Sequence, residues 1–158
     1  MSVQVVREYL SQWNLQDKVM EMEMSSATVE LAAEAVGVIP ARIAKTLSFK
    51  DGESCLLIVT AGDAKIDNPK FKTKFQMKAK MLSPEEVTTY TGHPVGGVCP
   101  FALKRQDIRV YLDISLRRFD TVFPACGSGN SAIELTCEQL AQVSESNGWV
   151  DVCKGWQD

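Results

Sequence analysis

Apolar positions along the chain switch between two periods. Val3, Val6, Leu10 and Trp13 recur at three- and four-residue steps, the spacing of one helix face, whereas VMEMEM from Val19 to Met24 alternates as a strand does. Ser25 and Ser26 stand where an N-cap is expected, ahead of the helix-like TVELAAEAV, and Gly37 follows it in a position suited to a left-handed C-terminal cap. TLSFK and SCLLIVTA are joined through Asp51-Gly52, whose residues tolerate the positive φ of a tight hairpin, and the pair is expected at the centre of a sheet. SPEE, at Ser83 to Glu86, is a capping box with Pro84 at the first helical position, so a short helix is expected to run to about Tyr90 and stop at Gly92. IRVYLD, Ile108 to Asp113, alternates like a strand. TVFPACGSGNSAIEL reads as two strands broken by a glycine loop at Cys126 to Asn130, and TCEQ, at Thr136 to Gln139, opens a last helix.

Helices and strands are thus interspersed, and several connections are too short for a parallel crossover, which predicts an α+β fold with a mixed sheet. With 158 residues, 45% of them hydrophobic, and no Ser/Gly/Pro-rich linker, the chain reads as one domain over residues 1–158. No apolar run approaches the roughly 18 residues of a membrane span, and the N-terminus lacks a basic region followed by an apolar one, so no membrane partner and a cytoplasmic location are expected. Five cysteines without a CxxC pair read as reduced thiols. One histidine and no GxxxxGK[ST] loop leave neither a metal nor a nucleotide cofactor expected.

A net charge of −3 argues against a generic nucleic-acid binder. The segment from Lys65 to Lys80 departs from that total, with six lysines against one acid, Asp67, a local balance of +5. Within it Lys70, Lys72 and Lys74 are candidate phosphate contacts. Lys45 follows ARIA, which reads as a short turn, and begins the TLSF strand; an inward-facing ammonium there is expensive unless it serves an anion or a carbonyl. The stretch GHPVGGVCPF, Gly92 to Phe101, combines three glycines, two prolines and His93, specifying a shaped, non-regular loop. His93 reads as a solvent-exposed loop residue. Cys99 and Cys126 read as buried or incidental thiols, since no local motif supplies a base and an orienting group.

The order of these features, KTL near position 45, a GD-containing turn, SPEEVTTYTGHPVGGVCP and CGSGNSAIELTCEQL, resembles the YbaK/EbsC-like family of aminoacyl-tRNA deacylases from about Ser25 to Gln142. The resemblance implies a compact α+β domain with a partly barrel-like sheet that hydrolyses amino acids wrongly attached to tRNA. It implies tRNA as a partner, with an aminoacyl-tRNA synthetase as a second, because some members are fused to prolyl-tRNA synthetase. It assigns Lys45 as the essential lysine, Gly96, Gly97 and Pro100 to a glycine-proline substrate loop after Gly92, and Gly127, Ser128 and Gly129 to a second one. The chain departs from the pattern at Pro100-Phe101-Ala102, where many members have glycine in the last place, and its second loop lacks the histidine of the alanine-specific branch. Backbone N–H groups of such loops can stabilise an oxyanion without a catalytic side chain. The alternative reading is an accessory module that binds charged tRNA without hydrolysing it.

Overall fold

The computed structural model describes residues 2–156. Helix α1 (Ser2–Leu10) buries Val6 and Leu10. Of the alternating stretch that follows, two residues form strand β1 (Met20–Glu21), and just beyond it Met22 N–H donates to Asn130 O at 2.8 Å. Helix α2 (Val29–Val36) is capped by Thr28, whose side chain accepts the Leu31 N–H, and not by Ser25 or Ser26. Ser26 N–H is drawn instead to Gly129 O, three loop residues before the helix begins. Gly37 takes the left-handed cap, φ 76°.

A single 3-10 turn, Pro40–Arg42, feeds β2 (Ile43–Asp51), so Lys45 lies two residues inside the strand and not at its start. Strand β3 (Ser54–Ala61) pairs antiparallel with β2 from Ala44↔Ala61 to Asp51↔Ser54, across the expected tight turn. Next come β4 (Lys65–Ile66), α3 (Asn68–Phe75), which is capped by Asp67, and α4 (Pro84–Thr91), which carries the complete Ser83/Glu86 capping box. The C-terminal half contributes β5 (Arg109–Asp113), β6 (Thr121–Pro124), β7 (Ser131–Ala132), β8 (Leu135–Thr136), α5 (Cys137–Val143), β9 (Trp149–Val150) and β10 (Cys153–Lys154).

Six strands form one curled, half-barrel mixed sheet in the order β8-β6-β2-β3-β5-β9, with parallel pairs at β2–β6, β3–β5 and β5–β9. Strand β3 is covered on both faces, and Leu56 to Val59 are fully buried, which explains why SCLLIVTA shows an unbroken apolar run and no alternation. Two short ribbons, β1–β7 and β4–β10, flank the sheet. No described helix is long and apolar enough to cross a membrane.

Candidate functional site

Strand β2 has one fully paired edge, against β3, and one divided edge. Its start pairs with β6 at Ile43↔Phe123 and Ala44↔Pro124, and its end pairs with the loop before α4, where Phe49 bridges Met81, Lys50 N–H donates to Lys80 O and Leu82 N–H donates to Ser48 O. Between these two partners nothing described pairs with it on that side. Strand N–H and C=O groups alternate in direction, so those of Thr46 face the same way as those of Ala44, Ser48 and Lys50, into the gap. A cavity of about 330 Å³ opens there, within the range of small-ligand sites. Its walls are largely apolar, including Val29 and Ala32 of α2, Val87 of α4 and Phe123 of β6. No histidine, aspartate or glutamate among the described residues lines it. Ser26 Oγ and Thr46 Oγ1, in the same walls, are buried without hydrogen-bond partners among the described residues, which costs stability.

The two glycine loops meet beside this gap. Gly127 N–H donates to Gly97 O at 3.0 Å, and a Cβ on Gly97 would lie 2.4 Å from Ser128 N, an approach that excludes any side chain. Gly97 N–H is itself committed to Pro94 O at 3.0 Å. It therefore has no donor to offer a substrate, contrary to the expectation that both Gly96 and Gly97 present N–H groups. Gly96 lines the cavity with φ +93°, and its N–H has no backbone partner among the described residues. The second loop is tied together by Ser131, whose Oγ accepts from the N–H groups of Cys126 and Ser128 at 3.2 Å each. Ser128, against Gly97, and Gly129, against Ala27 and Ser26, do not line the cavity. Gly92 serves as the C-cap of α4, and Pro100 lines a separate, more polar depression with Tyr9, Lys104 and Glu145.

Lys45 is half-buried in the cavity wall, its Nζ donating to Gly62 O at 3.5 Å. Burial lowers its pKa from the ordinary lysine value; Asp63 and Glu30 oppose that shift and Lys65 adds to it. His93 corrects the sequence reading, because it is 1% exposed. Its Nε2 lies 2.7 Å from Phe101 O and 3.6 Å from Cys99 Sγ, and burial lowers its pKa. Neither His93 nor Cys99 lines the cavity; the two meet on the core side of the loop. Burial also pushes the Cys99 thiol up to about 12 and the Cys126 thiol well above its usual value, so neither is a thiolate at neutral pH.

Residues 23–143 match the aminoacyl-tRNA editing domain family. The chain belongs to that family. It is 59% identical over 158 residues to the uncharacterized protein YwhH of Bacillus subtilis (strain 168), covering 99% of this chain and all of that one. It is 31% identical over 91 residues to the proline-tRNA ligase of Thermotoga maritima, a stretch that covers 57% of this chain and 15% of the ligase. Among solved structures, a candidate trans-editing enzyme for prolyl tRNA synthetase superposes with a TM-score of 0.87 at 27% identity, covering 98% of each chain.

Within this editing domain the lysine-rich segment is divided by its structure. Lys70 bonds Asp151 Oδ1 at 3.1 Å and Cys153 O at 3.2 Å, while Lys72 and Lys74 are exposed on α3. None of the three lines the cavity, whereas Lys80 immediately precedes its Met81 and Leu82 rim. The sequence reading missed the contribution of Ser26 to Val29, which close one wall of the editing-domain cavity. Their signal was a cap motif, and a cap motif does not say which loop the residues ahead of the helix touch.

Proposed function

We propose that this protein is a trans-acting deacylase that hydrolyses the ester linking a wrong amino acid to the terminal ribose of tRNA. The observation that carries the reading is the divided edge of β2, which puts the Lys45 ammonium, the Thr46 backbone pair and the Gly96 N–H around one apolar cavity. An aminoacyl side chain fits the apolar walls. Water attacks the ester carbonyl carbon and negative charge collects on the carbonyl oxygen; the tetrahedral intermediate then collapses, breaking the C–O bond to the ribose, whose oxygen leaves with a proton. Fixed N–H donors and a poorly hydrated ammonium stabilise that charge, with little reorganisation at the moment of reaction. No carboxylate or imidazole among the described residues lines the cavity, so the proton of the attacking water passes to the ribose oxygens or to a second water. Likeness to part of the proline-tRNA ligases supports a tRNA aminoacylated in error by prolyl-tRNA synthetase as the substrate.

Single-turnover hydrolysis of a panel of mischarged tRNAs tests this, with released free amino acid as the readout. The wild type should release the amino acid from at least one of them, and Lys45→Ala should slow that step by one to three orders of magnitude, about 1.4–4 kcal/mol of transition-state stabilisation. Lys45→Arg should rescue poorly, because a planar guanidinium does not replace a compact ammonium. Tight binding of charged tRNA without release would make the protein an accessory recognition module instead.

A further inference from the structure

Beside the Lys45 wall lies a two-stranded ribbon that the family match does not cover in full. Strand β10 falls outside residues 23–143, yet it pairs with β4 next to the turn that holds Lys45. That turn is closed by Ala64 N–H on Ala61 O; its Gly62 carbonyl takes the Lys45 ammonium, and Lys65 follows directly. The register sets Lys154 opposite Lys65, and both side chains are exposed. Like charges directly opposite on a ribbon destabilise it.

The nearby acids do not relieve the pair. Asp63 is held by both terminal nitrogens of Arg118, at 2.9 and 2.5 Å, and Asp151 is held by Lys70. Neither Lys65 nor Lys154 forms an ion pair among the described residues. The ribbon is nevertheless well anchored. Lys70 Nζ donates to Cys153 O, Asp67 N–H donates to Val152 O at 2.8 Å, and Arg118 reaches Trp156 O at 3.3 Å. Two exposed lysines without an ion pair among the described residues thus stand on an anchored ribbon next to a site that, on the reading above, takes the 3′ end of a polyanion. Lys65 also contributes to the lowered pKa of Lys45, which agrees with its position close to the cavity.

We infer that the β4–β10 ribbon is a phosphodiester clamp, in which Lys65 and Lys154 hold the backbone of the single-stranded nucleotides leading to the aminoacylated ribose. The inference rests on the deacylase reading for its substrate, but binding tests it without hydrolysis. It also moves the principal contact away from α3, where Lys70 is already paired.

The measurement is fluorescence anisotropy of uncharged tRNA across a salt series, with thermal denaturation of each variant. Lys65→Glu with Lys154→Glu should weaken binding roughly tenfold at low salt and reduce the slope of log affinity against log salt by about 1.4, two single-strand phosphate contacts at about 0.7 each. The single variant Lys65→Glu should weaken binding while keeping or raising the melting temperature, since it places a carboxylate opposite Lys154. Stability and affinity then move apart, which a purely structural role of Lys65 does not produce. The difference between wild type and double variant should vanish on tRNA trimmed of its terminal CCA. Lys18→Glu, a charge change equal to that of Lys65→Glu alone on an exposed residue beyond α1, should leave the slope unchanged.

An unchanged slope in the double variant overturns the clamp, as does an equal loss on trimmed tRNA. If the wild type binds tRNA but releases no amino acid, the deacylase reading fails, and the clamp is still decided by the slope.

Discussion

Gly97 and Gly129 lie in loops of similar composition under different constraints. A methyl group on Gly97 would stand 2.4 Å from Ser128 N, and the obstruction is backbone that cannot rotate away. One on Gly129 would meet Ala27 Cβ at 3.6 Å, an ordinary contact, and its φ is not in the left-handed region. Gly97→Ala should therefore cost about 1–3 kcal/mol, as overpacking does, while Gly129→Ala should stay within about 0.5 kcal/mol. Urea titrations of the two variants compare them directly, and equal losses would mean that the loops do not meet as described. The same loops show what the sequence hid. Flanked by Gly92 and Pro94, His93 looks like a surface residue because connecting segments normally run over the surface. Here the loop folds its imidazole inward onto the Phe101 carbonyl.

Helix α4 illustrates an element whose sequence and structure agree closely. Ser83 Oγ accepts the Glu86 N–H at 3.2 Å, and Glu86 Oε1 accepts the Ser83 N–H at 2.9 Å. Ser83→Ala should cost about 1 kcal/mol. Because Pro84 and Val87 of this helix line the cavity, fraying of its first turn should also raise the half-saturation of any substrate. Denaturant midpoints with parallel binding curves check both, and a stability loss below about 0.3 kcal/mol would leave the cap without an energetic role. The two capping boxes and the Asp51-Gly52 hairpin were readable because each depends on residues three or fewer apart. The stretch after the second glycine loop reads as one strand but forms two, β7 and β8, in different sheets, and β4, β9 and β10 left no signal, since two residues carry no period. They exist because a partner strand lies alongside.

The chain as a whole is held by one sheet and the residues packed on it. Trp13 near one end and Trp156 near the other pack partly buried against the same core cluster that contains Leu56, Ile58 and Val59 of β3. Melting followed by tryptophan fluorescence and by far-ultraviolet circular dichroism should therefore give coincident midpoints and one cooperative transition. Two separated midpoints would mean that the terminal segments, the β4–β10 ribbon among them, form a unit of their own. The acidic total and the exposed lysines are compatible for a related reason. Acids and lysines far apart in sequence can be segregated on different parts of the surface, and net charge does not report that segregation.

The two capping boxes, the left-handed caps at Gly37 and Gly92, the central hairpin and the two glycine loops follow from the sequence, because all are set by backbone preferences acting over a few residues. The resemblance carried by KTL, TGHPVGG and CGSGN likewise reached the family. What lies inside the cavity did not follow from these. The gap in β2 arises because β6 and the residues before α4 each pair with part of one edge, and no local pattern records where two distant segments stop pairing. The close approach of Gly97 to Ser128, the burial of His93, and the register that opposes Lys65 to Lys154 have the same origin. Each is a contact between segments that local preferences leave unconnected and that only packing around the shared sheet brings together.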